Sequence, residues 1–447
     1  MDFSAEYKQK LVSADEAVKI IKSGDWVDYG WSNGTVDALD KALAKRTDEL
    51  TDVKLRGGIL LKPLAVFERE DAGEHFTWNS WHMSGIERRY ISRGFAYYAP
   101  IRYSELPRYY RDSDTPDDVA MFQVAPMDKH GFFSFGLTNC CQMEMLRAAD
   151  TIIFEVNKDM PYTYDAYNGH MHISEVDIVV EGEHDYLPTA PAAASTEIDR
   201  QIASHIFPYL RDGITLQIGI GGMPNSLGTL IADSDLKDLG MHTELMSDGY
   251  LKLYQAGKIT NKMKEIDNGK GVFSICNGSR ELYEFLDHNI GIETYPMAYV
   301  NNPSVIAQFD NFVSINGCIA MDLYGQVCSE TAGTRHISGT GGQLDFVTGA
   351  LRSKNGLAFL AMPSSRVDKK TGERHSNILP KFTNGDVITT PRTQAPHMVT
   401  EYGVARLPGL ATWQRAEAII NIAHPDCRED LIRAAEEQKI WRRSNKR

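Results

Sequence analysis

Apolar residues recur along this chain in short bursts whose spacing changes from one burst to the next. Ser13-Ala14-Asp15-Glu16 has the form of a capping box, Val18, Ile20 and Ile21 follow, and Gly24 supplies a stop, so a short first helix is expected there. Residues 26–30 read as a strand. Thr35 then opens an amphipathic stretch through Leu39, Leu43 and Leu50, and residues 53–61 return to an extended, β-rich pattern. Further apolar runs at 119–124 and 151–156 are separated by helical or glycine-rich segments. This alternation predicts an α/β fold with mostly parallel sheets covered by helices.

The stretch 187–195, LPTAPAAAS, carries two prolines among small residues, the composition of a surface linker. It divides the chain into an expected N-terminal domain, 1–190, and a C-terminal domain, 196–447. After it the pattern restarts with a helix at 197–210, a strand at 214–218, a glycine turn, and further alternation to paired helices at 413–423 and 428–438. No solenoid-length repeat and no low-complexity tract interrupts it.

Composition narrows the function classes. The 447 residues, 42% hydrophobic and 24% charged, suffice for more than one core. Lys plus Arg total 47 against 60 Asp plus Glu, a net charge of -13, which argues against a general nucleic-acid or anionic-membrane binder. An anionic ligand must therefore be met by a local basic or amide-rich pocket. The N-terminus lacks the apolar core of a signal peptide and the longest unbroken apolar run, 357–362, is too short to span a bilayer, so a cytoplasmic protein is expected. Six cysteines without CxxC spacing read as reduced and structural. The histidines, including His170 and His172, lack a third partner at ligand spacing, so no metal site is expected.

Three glycine-bearing segments could carry chemistry. In Ile218-Gly219-Ile220-Gly221-Gly222-Met223-Pro224 a glycine turn follows a β-rich run and precedes a helix start, exposing backbone N–H groups to a phosphate or a developing oxyanion. The dinucleotide fingerprint is not met, because Pro224 stands where its last glycine is wanted. A tight strand-to-helix turn is the plainer reading. The second segment, 240–249, is extended and places Glu244 near a strand end, as a nucleophile or as a cap or solvated carboxylate. The third, 337–346, holds Gly339, Gly341 and Gly342 and suits close backbone approach to a ligand.

Taken in order, GIGGMPN, HTELMSDG, INGCIAMDLYGQV, SGTGGQLDF, VTEYG and RAEAIINIAHPDCR resemble the acetyl-CoA hydrolase and CoA-transferase family. Within it the likeness is to butyryl-CoA:acetate and 4-hydroxybutyrate CoA-transferases. The resemblance implies two open α/β domains of CoA-transferase type with the active site at their interface, a covalent glutamyl-CoA thioester, no metal and no permanently bound cofactor, coenzyme A serving as co-substrate. It makes Glu244 the nucleophile and sets Asn301 near the reacting carbonyl. Gly219, Ile220, Gly221, Gly222 and Met223 become a CoA-contacting loop that helps to form the oxyanion hole, and Gly341 and Gly342 a second glycine loop. Ile319 is assigned to CoA contact and Glu401 to a supporting carboxylate. Segments 137–141 and 161–172 are bulkier or more polar than in butyryl-transferring members and are expected to form the acyl pocket.

These residue types suit the chemistry. A carboxylate attacking a thioester gives a mixed anhydride, whose glutamyl carbonyl the released CoA thiolate must then attack, with water excluded throughout. The implied partners are an acyl-CoA and a short-chain carboxylate such as acetate, with a homo-oligomer left open. Ping-pong transfer from butyryl-CoA to acetate leads. A 4-hydroxybutyrate or propionate CoA-transferase, an acyl-CoA hydrolase and a non-catalytic acyl-CoA-binding module stand as alternatives.

Overall fold

Along the strand Asp117–Val124, Val119 and Met121 enter one apolar cluster while Ala120, Phe122 and Val124 enter another. Period-two burial on both faces is what a strand inside a helix-covered parallel sheet requires. The computed structural model describes residues 3–112, 117–182, 186–190 and 194–444. Its chain divides into two units, one comprising Met1–Pro191, Thr243–Asp248 and Lys270–Asn301, the other Ala192–His242, Gly249–Gly269 and Asn302–Arg447. The first crossing falls beside the expected linker. Two later segments, which the sequence assigns to the C-terminal domain, fold with the first unit.

The first unit is built on an eight-stranded sheet. Its order is Leu11–Val12, Ile178–Glu181, Ala149–Val156, Asp117–Val124, Trp26–Trp31, Val53–Gly58, Phe76–Ser80 and Ala96–Tyr98, and every neighbouring pair is parallel. The chain starts this sheet's interior at Trp26–Trp31, builds outward to Ala96–Tyr98, and returns to lay Asp117–Val124 on the other side. Strand order therefore reverses between Trp26–Trp31 and Asp117–Val124, and the crevice beyond their carboxyl ends is where such sheets take ligands. A small cleft lies there, lined by Ser32, Asn33, Thr35, Lys62 and Gln123 among others. Across the sheet, buried Arg56 pairs with buried Asp117 at 2.8 Å and its guanidinium lies 4.4 Å from the Trp26 ring centroid.

In the second unit the strands Thr215–Ile218, Phe312–Gly317, Leu357–Ala361 and His397–Thr400 are parallel neighbours in that order, and Gly403–Arg406 closes the edge antiparallel. On the other side of Thr215–Ile218 runs the start of Gly240–Met246, through Gly240 and Met241. Here the order reverses between Thr215–Ile218 and Phe312–Gly317.

Several elements differ from expectation. A helix, Ser4–Lys10, precedes the one marked by Ser13, which is a single turn, Ala14–Ala17, continued by a 3-10 turn. Ser13 does cap it, accepting from the Glu16 N–H at 3.2 Å. The strand expected over 53–61 stops at Gly58, because Ile59 takes a left-handed conformation with φ 53°. The helix after the linker runs as α-helix only over Glu197–Ile206, and Pro208, which has no N–H to donate, falls in the 3-10 turn that follows. Among the described residues no helix is long and apolar enough to cross a membrane, and no group of three or more His, Cys, Asp or Glu could hold a metal ion. All six cysteines are free.

Candidate active site

In the first unit, the strand Gly240–Met246 reaches its last residues with Thr243 and Met246 buried and Glu244 half-buried between them. Asn301 meets it from a different element. The short helix Met297–Val300 ends at Asn301, whose N–H caps back to the Met297 carbonyl at 3.0 Å. The Asn301 side chain is fully buried and its Nδ2 donates to Glu244 Oε2 at 2.5 Å. A hydrogen bond of this length to a carboxylate is among the strong, charge-assisted kind and fixes one carboxylate oxygen in place.

The loop 137–141 anchors that helix. Asn139 donates from its backbone to Ser274 O (2.8 Å) and from Nδ2 to Thr294 O (3.0 Å), while the Cys140 carbonyl receives the Met297 N–H at 2.8 Å. The helix bearing Asn301 is thus pinned to the same loop from which an acyl pocket is expected. Within 161–172, Tyr162 stacks on the His288 ring at 5.2 Å and the Tyr164 carbonyl receives the Thr294 N–H. These two loops are tied to the strands Gly271–Cys276 and Ile292–Thr294 by backbone bonds, so their side chains are presented from a fixed frame.

A residue the motifs did not mark feels the charge of Glu244. Tyr103 is fully buried, and its hydroxyl is pushed well above the usual phenol range, first by burial and next by the charge of Glu244. Tyr103 sits in no motif and follows an unremarkable loop; only the folded strand order, which puts Trp31 beside it, could have signalled it.

The second unit holds the glycine loops. After the strand Thr215–Ile218, the Gly219 N–H donates to Ile315 O at 2.9 Å, holding the turn against the neighbouring strand. Gly221 then takes φ 122°, ψ -174°, a conformation open essentially to glycine alone, and stands at the N-cap of the helix Gly222–Ala232. A Cβ on Gly222 would lie 2.5 Å from Asp199 Oδ2, so the second glycine serves close packing. Ile220, between Gly219 and Gly221, is 64% exposed, whereas Met223 is buried. Beside this turn Gln217 clamps the adjacent strand, its Oε1 accepting from Ser314 Oγ (2.7 Å) and Asn316 Nδ2 (3.0 Å).

Ile319 lies two residues beyond the strand Phe312–Gly317, its N–H donating to Cys328 O at 2.9 Å. Gly341 takes φ 54° and Gly342 is the N-cap of the helix Gln343–Arg352. Glu401 is occupied locally, accepting from Ser364 N (2.8 Å) and Ser364 Oγ (2.6 Å), which makes it a brace for the turn at Ser364. The structure therefore joins Glu244 to Asn301 directly, and sets Gly219–Gly222 and Ile319 at the strand-order reversal of the second unit.

Against known proteins, the model of the acetyl-CoA hydrolase/transferase N-terminal domain matches residues 1–191, and that of the C-terminal domain of the same family matches residues 278–435. The chain is 50% identical to a butyryl-CoA:acetate CoA-transferase of Anaerostipes caccae over the whole of both chains. It is 38% identical to a 4-hydroxybutyrate coenzyme A transferase of Clostridium kluyveri, covering 97% of this chain and 98% of the relative. Among solved structures, RipA from Yersinia pestis superposes with a TM-score of 0.89 at 35% identity, over 98% of this chain and 100% of RipA.

Proposed function

Because the chain belongs to the acetyl-CoA hydrolase/transferase family, we propose that it is a short-chain acyl-CoA:acetate CoA-transferase, with butyryl-CoA as donor, acting in the cytoplasm by a ping-pong route through a glutamyl-CoA thioester on Glu244. Full-length likeness to a butyryl-CoA:acetate CoA-transferase supports the substrate pair. The observation that carries the mechanism is the 2.5 Å bond from Asn301 Nδ2 to Glu244 Oε2.

Oε1 of Glu244 attacks the thioester carbonyl carbon, whose electron pair moves onto the acyl oxygen. Collapse breaks the C–S bond, giving an acyl-glutamyl anhydride and CoA thiolate. The thiolate then adds to the glutamyl carbonyl carbon, and the pair displaced onto Oε2 falls on the oxygen that Asn301 already holds. Loss of the acyl carboxylate leaves enzyme-bound glutamyl-CoA, and acetate runs the same steps backward. A preorganised donor at the oxygen that becomes negative is the most effective single element such a site can supply. The amide-bearing turns at Gly219–Gly222 and Gly341–Gly342 are read as CoA contacts, their bare backbones allowing N–H groups to approach closely. Binding of the nucleotide portion of CoA then contributes to turnover.

The test is chemical trapping. Borohydride added after butyryl-CoA, but not before it, should inactivate the enzyme by reducing a thioester at Glu244, with the modified peptide identified by mass spectrometry. Full activity after that treatment refutes the mechanism, and thiol release independent of added acetate would make the protein a hydrolase.

A further inference from the structure

Trp31 ends the central strand of the first sheet, and Tyr103 opens the 3-10 turn Tyr103–Glu105. Their rings meet edge to face, centroids 5.3 Å apart and planes at 88°, and neither ring is exposed. The phenol Oη and the indole Nε1 are both shielded from solvent, and neither has a hydrogen-bond partner among the described residues. Burying an unpaired donor is costly, so two adjacent ones mark a corner of the fold short of acceptor atoms.

Three further observations point to what supplies the acceptor. The charge acting most strongly on Tyr103 is that of Glu244. The helix Met297–Val300, which delivers Asn301 to Glu244, packs against the turn that carries Tyr103. Finally, Trp31 is followed by Ser32 in a left-handed conformation, φ 50°, at the strand-order reversal of this sheet. Strained non-glycine backbone at such a crevice is characteristic of ligand sites.

We propose that the Tyr103 hydroxyl is a catalytic hydrogen-bond donor to the acyl group, binding the acyl oxygen that does not become bonded to Glu244, with Trp31 holding the phenol in place. This rests on the glutamyl-CoA reading above and assigns the oxygen that Asn301 does not serve. As Glu244 adds to the thioester, negative charge develops on the acyl oxygen and the Tyr103 O–H bond to it strengthens. When the C–S bond breaks the charge returns to form the carbonyl, and no proton leaves the phenol. In the return half, the non-attacking oxygen of acetate takes the same position. Tyr103 thereby selects for substrates with a carbonyl or carboxylate oxygen at this point. Its elevated titration range keeps the hydroxyl protonated throughout.

Tyr103→Phe removes one oxygen and keeps the ring. Quenched single turnovers with butyryl-CoA, followed by intact mass, should show glutamyl-CoA forming about ten- to a hundredfold more slowly. KM for butyryl-CoA should change little, and the melting midpoint should stay level or rise, since an unpaired hydroxyl has been removed. In a Glu244→Ala background, the infrared carbonyl band of bound butyryl-CoA should move to higher frequency when Tyr103→Phe is added. Thioester formation at the wild-type rate, a rate loss accompanied by a lower melting midpoint, or an unmoved carbonyl band overturns the proposal while leaving the glutamyl-CoA reading intact. Absence of any thioester in the wild-type enzyme removes both.

Discussion

Replacing Asn301 by Ala removes a direct contact to Glu244, the carboxylate proposed as the nucleophile. The bond is 2.5 Å from Nδ2 to Glu244 Oε2 and the amide is fully buried, so water does not replace the lost donor freely. In the resting enzyme the loss is that of a charge-assisted hydrogen bond, about 1.5–3 kcal/mol. In the thiolate addition proposed above the same donor would face an oxyanion, and losing it should cost about 2.7–4 kcal/mol, or about 100- to 1000-fold in kcat. The amide Oδ1 makes no hydrogen bond among the described residues, so little else depends on it. The global fold should survive, because the cap that ends the helix Met297–Val300 is made by the Asn301 backbone. Butyryl-CoA plus acetate exchange, with acetyl-CoA read by chromatography, gives kcat, and intact mass gives the anhydride-to-thioester step. A kcat within about threefold of wild type would refute the assignment of Oε2 as the oxyanion, since a hydrogen bond worth under about 0.7 kcal/mol there is not an oxyanion donor.

Two further outcomes follow from the geometry. Gly221→Ala forces a side chain into φ 122°, ψ -174°; a strain of about 1–3 kcal/mol should move the turn, raise KM for butyryl-CoA and leave the Glu244 thioester competent, and an unchanged KM in steady-state assays would separate this turn from CoA binding. Asp40 is buried, accepts the Ala65 N–H at 2.6 Å, and is pushed by burial from 3.8 up to about 7, against the backbone N–H groups of Ala65 and Val66. The folded protein therefore holds this proton where the unfolded chain has released it. The associated stability is full below pH 3.8 and is lost as pH rises through about 7, at about 1.4 kcal/mol per pH unit inside that window. Asp40→Asn should flatten the fall in urea-unfolding free energy between pH 4.5 and 7.5, and an identical slope in the variant would count against it.

The alternation of strands and helices was legible because each element carries its own punctuation. Ser13 caps its helix through its side-chain oxygen as the acids that follow it suggest, and the runs at 119–124 and 151–156 lie inside the strands Asp117–Val124 and Ala149–Val156. Strand order is a different matter, since no local pattern tells Asp117–Val124 to return beside Trp26–Trp31. That placement creates the crevice and brings Trp31 and Tyr103 together, so both escaped notice. Glu244 stood out through its motif, whereas its partner Asn301, 57 residues later, lies in a polar Asn-Asn-Pro stop and was marked by the family resemblance alone. The early end of the strand expected over 53–61 was hidden for a related reason: a left-handed isoleucine is invisible in a hydrophobic pattern that favours extension at that position.

The segments Thr243–Asp248 and Lys270–Asn301 fold with residues from the start of the chain. A gene cut at the proline-rich joint near 190 would thus encode one polypeptide bearing Trp31 and Tyr103 and another bearing Glu244 and Asn301. On the roles proposed above, neither fragment would own a complete set of reacting groups. Catalysis from such a pair would require the later fragment to thread two short pieces back into its companion, which makes recovery of activity on mixing a direct readout of reassembly.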